Sequence, residues 1–390
     1  MVFIVEVLMF CISFNIGGKG YRLLLLLLCV TGADILAKRE LEVNRKLGVL
    51  ALFLVSYAMM LTIQGQIGMT IISSRIAFPF MMWYWGRELC RKSSHSEKNF
   101  RRVCYIIFSG FFLMGLYALI YSMINDVSDR MNVYNIWGGY ANHNSGVQQT
   151  IFFLLPESLI LYFIVYGGKG RWLGLLTVFS AIVNTLFFAG RSGFAIMAIA
   201  NAAALLFYLC YCSRKKRLIV IAIVCLVIIV FVLMFINDTF GIASAWQNSN
   251  MYERLTQIDK NGDSSDSRPE KWLKGLKALA ESPFGSDYRY AHNYWIDMAL
   301  EGGCITGLLL IIYTAMSFHS LLIFIRSKKI TQQTRVFVLS IYVGTIASFM
   351  IEPMMQSLPL LVGNLFFLDS AIDEFNLWST DKMRLCRINS

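Results

Sequence analysis

The chain is short of charge and of proline. Only 15% of its 390 residues are charged and only six are proline. An ordinary soluble domain carries about 25% charged residues. So little charge cannot cover the water-facing surface of a soluble chain of this length, which excludes a cytosolic enzyme. Scarce proline beside 57% hydrophobic residues excludes a disordered regulator. The nine cysteines all fall in apolar stretches or beside basic ones, and none lies in the segments read below as outer loops. A secreted disulfide scaffold is therefore excluded as well. Cys210 and Cys212 stand one residue apart with no His or Cys partner at zinc spacing, so they read as small core residues. No repeat of fixed period and no low-complexity tract is present.

What the sequence has is apolar residues, with a mean hydropathy of +0.58. A helix needs about 20 mostly apolar residues to cross the hydrocarbon core, and it satisfies its own backbone there. Twelve stretches answer to this: 2–16, 21–37, 47–63, 68–86, 103–124, 147–167, 172–189, 192–212, 218–236, 303–325, 334–351 and 354–372. The first is short. It resembles the apolar part of a signal peptide but has no cationic segment before it and no small-residue cleavage site after it, so it is counted as a span. The fold expected is an all-α polytopic membrane protein of about twelve transmembrane helices. Residues 1–236 supply helices 1–9 with an outer loop at 125–146. Residues 237–293 form one large outer loop containing short amphipathic helices. Residues 294–372 supply helices 10–12, and 373–390 an inner tail.

Lys and Arg set the orientation. With both termini inside, the inner segments hold Lys38 to Lys46, Arg87 to Arg102, Lys169 and Arg171, Arg214 to Arg217, Arg326 to Arg335 and the basic residues of the tail. These are most of the 35 basic residues, and only Lys19 and Arg22 in the first short loop run against the rule. The net charge of +11 is thus chiefly a topology signal. Nucleic acid is excluded as a partner, because the charges are dispersed over many loops rather than gathered on one face.

Two outer loops are long enough to hold a site. The 125–146 loop mixes Tyr134, Trp137 and Tyr140 with Asn142, His143 and Asn144. Aromatic faces beside amides suit sugar rings, which makes Trp137 and His143 candidate substrate contacts. An aromatic belt at the membrane interface is the commoner use of such residues. In the 237–293 loop, Asp266 and Ser267 precede Arg268 and Pro269, a helix start. Trp272, Leu273, Leu276, Leu279 and Ala280 then fall on one face and Lys271, Lys274 and Lys277 on another. Such a helix suits the outer membrane surface, as a resting lid or as a cover over a lipid-linked substrate. Ser282, Pro283 and Gly285 end it, and His292 and Asn293 follow just before the next span.

Several charges stand out. Arg191, in FFAGRSGFAI, sits at the outer junction of two spans against the positive-inside bias; it is either a snorkelling anchor or functional. Arg268 opens the amphipathic helix as either a solvated charge or a substrate contact. His292, of near-neutral intrinsic pKa, stands where loop meets bilayer. Arg75 lies inside a span, where a charge is paired or functional. Glu352, at the outer end of the eleventh stretch, is its candidate partner and a further candidate substrate contact.

The order of these features resembles the O-antigen polymerase and O-antigen ligase superfamily: GRSG at a span junction, then a large outer loop with S-R-P-E-K-W and E-S-P-F-G, then H-N and the span start E-G-G-C-I-T-G. The motifs cover about residues 185–315; elsewhere only the span count agrees. The resemblance implies a bacterial inner-membrane, C-type glycosyltransferase with a periplasmic active site. Such an enzyme moves glycans from undecaprenyl diphosphate with no cofactor and no metal. It implies that Arg191 and Arg268 contact the anionic substrate, and that His292 is catalytic or orienting, with Arg289 and Asn293 beside it as substrate contacts. The implied partners are an undecaprenyl-diphosphate-linked oligosaccharide, membrane lipid, a chain-length regulator and a flippase. The connection from Pro283 to His292 is shorter than in many ligases, which favours a polymerase. A ligase acting on lipid A–core is the nearest alternative. A lipid-linked oligosaccharide flippase is the further one, disfavoured by the lack of a pseudo-repeat between halves.

Overall fold

The computed structural model describes residues 1–16, 20–38, 42–125, 132–134, 140–142, 146–253, 256, 268–286, 290–352 and 354–388. Its elements are α1 (Val2–Ser13), α2 (Gly20–Lys38), α3 (Arg45–Ile63), α4 (Phe78–Lys92), α5 (Glu97–Ile124), β1 (Asn132–Tyr134), β2 (Tyr140–Asn142), α6 (Gly146–Ile151), α7 (Leu154–Ser158), α8 (Ile160–Tyr166), α9 (Arg171–Phe187), α10 (Arg191–Tyr211), α11 (Arg214–Ile236), α12 (Ile242–Gln247), α13 (Arg268–Glu281), α14 (Tyr294–Arg326), α15 (Gln332–Phe349), α16 (Met354–Ser357) and α17 (Pro359–Ile388). Among the described residues six helices are long and apolar enough to cross a membrane: Arg45–Ile63, Glu97–Ile124, Gly168–Phe187, Arg191–Tyr211, Arg214–Ile236 and Tyr294–Arg326. This is the pattern of a multi-pass membrane protein. Among the described residues only β1 and β2, an antiparallel pair aligning Val133 with Ala141, depart from the all-α expectation.

The chain divides into two compact units. The first comprises Met1–Met114, Asp266–Val338 and Thr345–Ser390. Its tightest helix pair is α4 against α17. Gly86 of α4 presses on the Phe367 carbonyl and Gly363 of α17 on the Phe78 ring, so backbones approach closely, as small residues allow in membranes. At the end of α4 that carries its basic residues, a charged network ties the helices together. Glu374 accepts from Arg87 Nε at 3.0 Å, Arg91 Nε at 2.9 Å and His95 Nε2 at 3.1 Å. Arg91 and Arg87 also hold Glu42, while Lys38 pairs with Glu88 and Lys92 with Asp34. Lys38, Glu42, Arg87, Glu88, Arg91 and Lys92 of this network, with Trp83 and Tyr84, line a cavity of about 440 Å³.

α14 is two helices in sequence. Gly303 takes φ +82° and ψ 169°, extended backbone inside a helical run. The interrupted backbone is satisfied from outside: Cys304 N–H donates to the Pro283 carbonyl at 2.8 Å, Ser286 N–H to Leu300 at 2.9 Å, and the Gln64 amide to Glu301 at 3.0 Å. Beyond the kink, 304–326 is about 34 Å of helix, a full crossing by itself. This helix coincides with the stretch 303–325, and 294–302 is a separate short helical segment before it.

The second unit comprises Gly115–Ser265 and Leu339–Gly344. The expected span 147–167 is here three short helices, α6 to α8, interrupted at Phe152 and Phe153 and again at Leu159. Pro156 lies within the middle piece and has no N–H to give. Side chains take over the freed backbone groups. Asn201 of α10 donates to the Glu157 carbonyl at 2.7 Å and accepts from Leu161 N–H at 3.0 Å, and Gln149 donates to the Gly115 carbonyl at 2.8 Å.

Candidate functional site

In the first unit, α13 begins at Arg268, the start read from the sequence, and ends at Glu281 before Pro283. It packs on the start of α14 through Gly275, whose Cα faces Ala291, Ile296 and Leu300. Gly275 is the centre of the packed face, while Leu273 is 66% and Leu276 49% exposed, as a face expected to lie against the membrane surface requires. The glycine permits contact that leucine cannot, so the helix docks by its flattest side.

That docking brings Arg268 to Glu352. Its guanidinium donates to Glu352 Oε1 at 2.9 Å. His292 Nδ1 lies 3.5 Å from the other oxygen, Oε2. One buried carboxylate thus joins the two residues picked out in the loop. His292 itself has φ +55°, left-handed backbone that a non-glycine residue adopts only under constraint. The constraint is Asp297, buried on the first turns of α14, which accepts from the N–H of Ala291 at 2.6 Å and of Asn293 at 2.9 Å. Asn293 caps α14, its side chain accepting from Ile296 N–H at 3.3 Å.

The pairing of Arg75 is a correction. It lies on a π-helical turn (Ile72–Ala77) leading into α4, and its partner is Glu301 at 2.7 Å, not Glu352. Tyr57 and the Gln356 carbonyl also accept from it, at 3.2 and 3.4 Å, and Gln356 donates to the second Glu301 oxygen at 2.7 Å. The kink after Glu301 carries that carboxylate toward α3 and the π turn, a direction invisible from span ends alone. Glu352 remains with Arg268 and His292.

Arg191, in the second unit, is the exposed first residue of α10. Each neighbour in GRSG fixes this helix start. Gly190 N–H donates to Thr185 at 3.1 Å, Gly193 N–H donates to Gly190 at 3.0 Å, and the Ser192 hydroxyl lies 3.3 Å from that of Thr150. Gly193 faces Thr185 and the buried carboxyl of Glu157. Among the described residues no carboxylate pairs with Arg191, so a guanidinium and the positive end of a helix dipole are presented together. Arg289, Trp137 and His143 lie outside the described residues. Among the described residues no group of three or more His, Cys, Asp or Glu is placed to hold a metal ion.

Sequence reasoning passed over Asp297, Glu301 and Glu157. Each carried a signal: Asp297 stands four residues after a capping asparagine, Glu301 directly precedes two glycines, and Glu157 is an acid within an expected span.

Residues 175–287 match the family model described as O-antigen ligase. The matched range contains Arg191 and Arg268 and stops shortly before His292. It supports the resemblance to the O-antigen ligase and polymerase superfamily. No curated protein matches the chain.

Proposed function

We propose that the protein is an O-antigen polymerase of the bacterial inner membrane, with twelve crossings and its active site on the periplasmic side. It transfers a growing glycan from undecaprenyl diphosphate to a sugar hydroxyl of an incoming lipid-linked repeat unit. The observation that carries this reading is the joining of Arg268 and His292 through Glu352, just beyond and within a segment that matches the O-antigen ligase model.

The chemistry is consistent with that grouping. As the sugar C1–O bond breaks, negative charge grows on the diphosphate oxygen. A guanidinium stays charged at any relevant pH and stabilises that charge in place. Arg268 is assigned this role, and Arg191 is a second diphosphate contact on the same motif reading. Diphosphate is a good leaving group and needs no general acid. The attacking hydroxyl must lose a proton, and neutral imidazole accepts it at His292. The lipid diphosphate donor supplies the driving force where no nucleotide sugar is available.

The short connection from Pro283 to His292 favours polymerase over ligase. The lipopolysaccharide banding of a deletion strain decides between them. Loss of a polymerase leaves a single repeat unit on the core, whereas loss of a ligase leaves polymer stranded on its carrier. Polymer made from lipid-linked units by the purified protein in detergent excludes a transporter.

A further inference from the structure

We infer that Asp297 and Glu352 are positioning residues that present His292, with Asp297 setting its backbone and Glu352 setting its ring. The function of the presented imidazole rests on the reading above; the positioning itself does not.

Two independent contacts converge on one residue. Asp297 is 1% exposed and places one oxygen on the N–H of Ala291 and the other on that of Asn293. These two amides flank His292, so the carboxylate pulls the chain into a tight arc around it. The left-handed φ of +55° is the result, a strain of the kind that persists only where surrounding bonds over-determine it. A histidine free to relax would take an ordinary φ and swing its ring elsewhere. Asn293 closes the arc by starting α14 through its own side-chain cap.

The ring is faced from the other side by a carboxylate at ion-pair rather than hydrogen-bond distance. Glu352 approaches Nδ1 and not Nε2, and its second oxygen is occupied by Arg268. An anionic acceptor beside Nδ1 favours the tautomer that carries its proton there, which leaves the Nε2 lone pair free to accept one. The groups facing the ring are Glu352 from the segment before α16, Arg268 from α13 through that carboxylate, the Tyr290 ring at 6.4 Å, and the Asp297-held backbone of α14. The 3.5 Å separation is of the kind that shortens when substrate closes a site. In the reaction, the acceptor hydroxyl gives its proton to Nε2 as its oxygen attacks the sugar carbon and the C–O bond to diphosphate breaks. The Nδ1 proton stays between imidazolium and Glu352, whose charge stabilises the cation formed.

The chain has four histidines, so ¹⁵N-histidine labelling of the full-length protein in lipid nanodiscs gives few resonances, and His292→Gln identifies the one concerned. At about pH 8.5, where an ordinary imidazole is neutral, the wild-type His292 ring is expected to carry its proton on Nδ1. Glu352→Gln is expected to lose that preference. Asp297→Asn, which keeps one oxygen acceptor, is expected to lower kcat by about ten-fold or more with an unchanged KM for the lipid-linked donor. A wild-type ring protonated on Nε2 overturns the inference whether or not either variant folds. An unaltered tautomer in folded Glu352→Gln overturns the role of Glu352, and an unaltered kcat in Asp297→Asn overturns that of Asp297. An Nδ1-protonated ring in a wild-type protein that makes no polymer overturns the proposed function and supports the positioning.

Discussion

Gly193→Ala tests the seat of Arg191 without removing any charge. A Cβ at this position would lie 2.6 Å from the Thr185 hydroxyl, 2.9 Å from Glu157 Oε1 and 3.2 Å from Thr185 Cγ2. Thr185 and Glu157 are both fully buried, and threonine is stiff at χ1. Neither can swing into open space, so the start of α10 must move outward. Overpacking of this kind costs about 1–3 kcal/mol. The better helix propensity of alanine offsets at most about 1 kcal/mol of it. With that offset taken in full about 0–2 kcal/mol remains, and at roughly 2–4 °C per kcal/mol for a unit of this size, Tm in detergent should fall by up to roughly 8 °C. Arg191 is two residues away and moves with the helix start. A displacement of about 1 Å at a positioned group can cost ~10²-fold in rate, so polymer formation should fall by far more than the stability loss explains. Gly48→Ala is the control. It lies in α3 with nothing within 4 Å of the added methyl, and its Tm should stay level or rise. A Gly193→Ala protein with wild-type Tm and wild-type polymer would refute the packing argument and the placement of Arg191 together.

Removing the charge itself, in Arg191→Ala and Arg268→Ala, should abolish polymer while membrane protein level is kept. Full-length polymer from both variants sinks the site assignment. Glu374→Ala should destabilise by about 1.5–3 kcal/mol, because the buried Arg87 loses one charged acceptor and keeps only the more exposed Glu42; a Tm equal to wild type, against the roughly 3 °C or more expected, contradicts that. The same residue governs acid stability. Burial alone would raise the Glu374 carboxyl, but hydrogen bonds from Arg91, His95 and Arg87 outweigh it and hold the group below its ordinary value. Arg91 and Arg87 do the same for Glu42. A carboxyl lowered on folding stabilises above its unfolded pKa, about 4.3 for glutamate, and that stability is lost as pH falls through the folded value. Tm should therefore be flat from pH 7 to about 5 and fall below about 4. Glu374→Gln should fall less steeply over that acid range.

The sequence made the helices legible because burial in lipid leaves a coarse signature, a run of apolar residues bounded by basic ones. The start of α13 at Arg268 and its end before Pro283 were legible for a local reason, capping and proline chemistry. What failed to show were choices made at a distance. Glu352 was read as the partner of Arg75, whereas Glu301, just before the kink at Gly303 and not singled out in the sequence, takes that place. The amphipathic face of α13 was legible, but Gly275 as its docking point on α14 was not, because hydrophobicity counts residues and close approach selects small ones. The interruption of 147–167 was signalled by Pro156 and Glu157 but concealed by the apolar run around them. Arg268 and His292 were readable from motif order, and the carboxylate between them was not, since it arrives from a segment some sixty residues further along.

The three-piece run from Gly146 to Tyr166 has a consequence for how the protein is made. Its exposed backbone groups are satisfied by Asn201, and its buried acid packs against Thr185 and Gly193. All three of those residues are synthesised later than the run they complete. A broken helix cannot rest in lipid with its carbonyls and amides bare. On the proposed twelve-span topology, the ribosome delivers this segment before the parts that make it tolerable, and it must wait, sheltered by the insertion machinery or by the helices before it, until α9 and α10 emerge. Biogenesis of this run is set by the two helices that follow it, and truncations that end before Asn201 should be cleared by quality control rather than accumulate as shorter bundles.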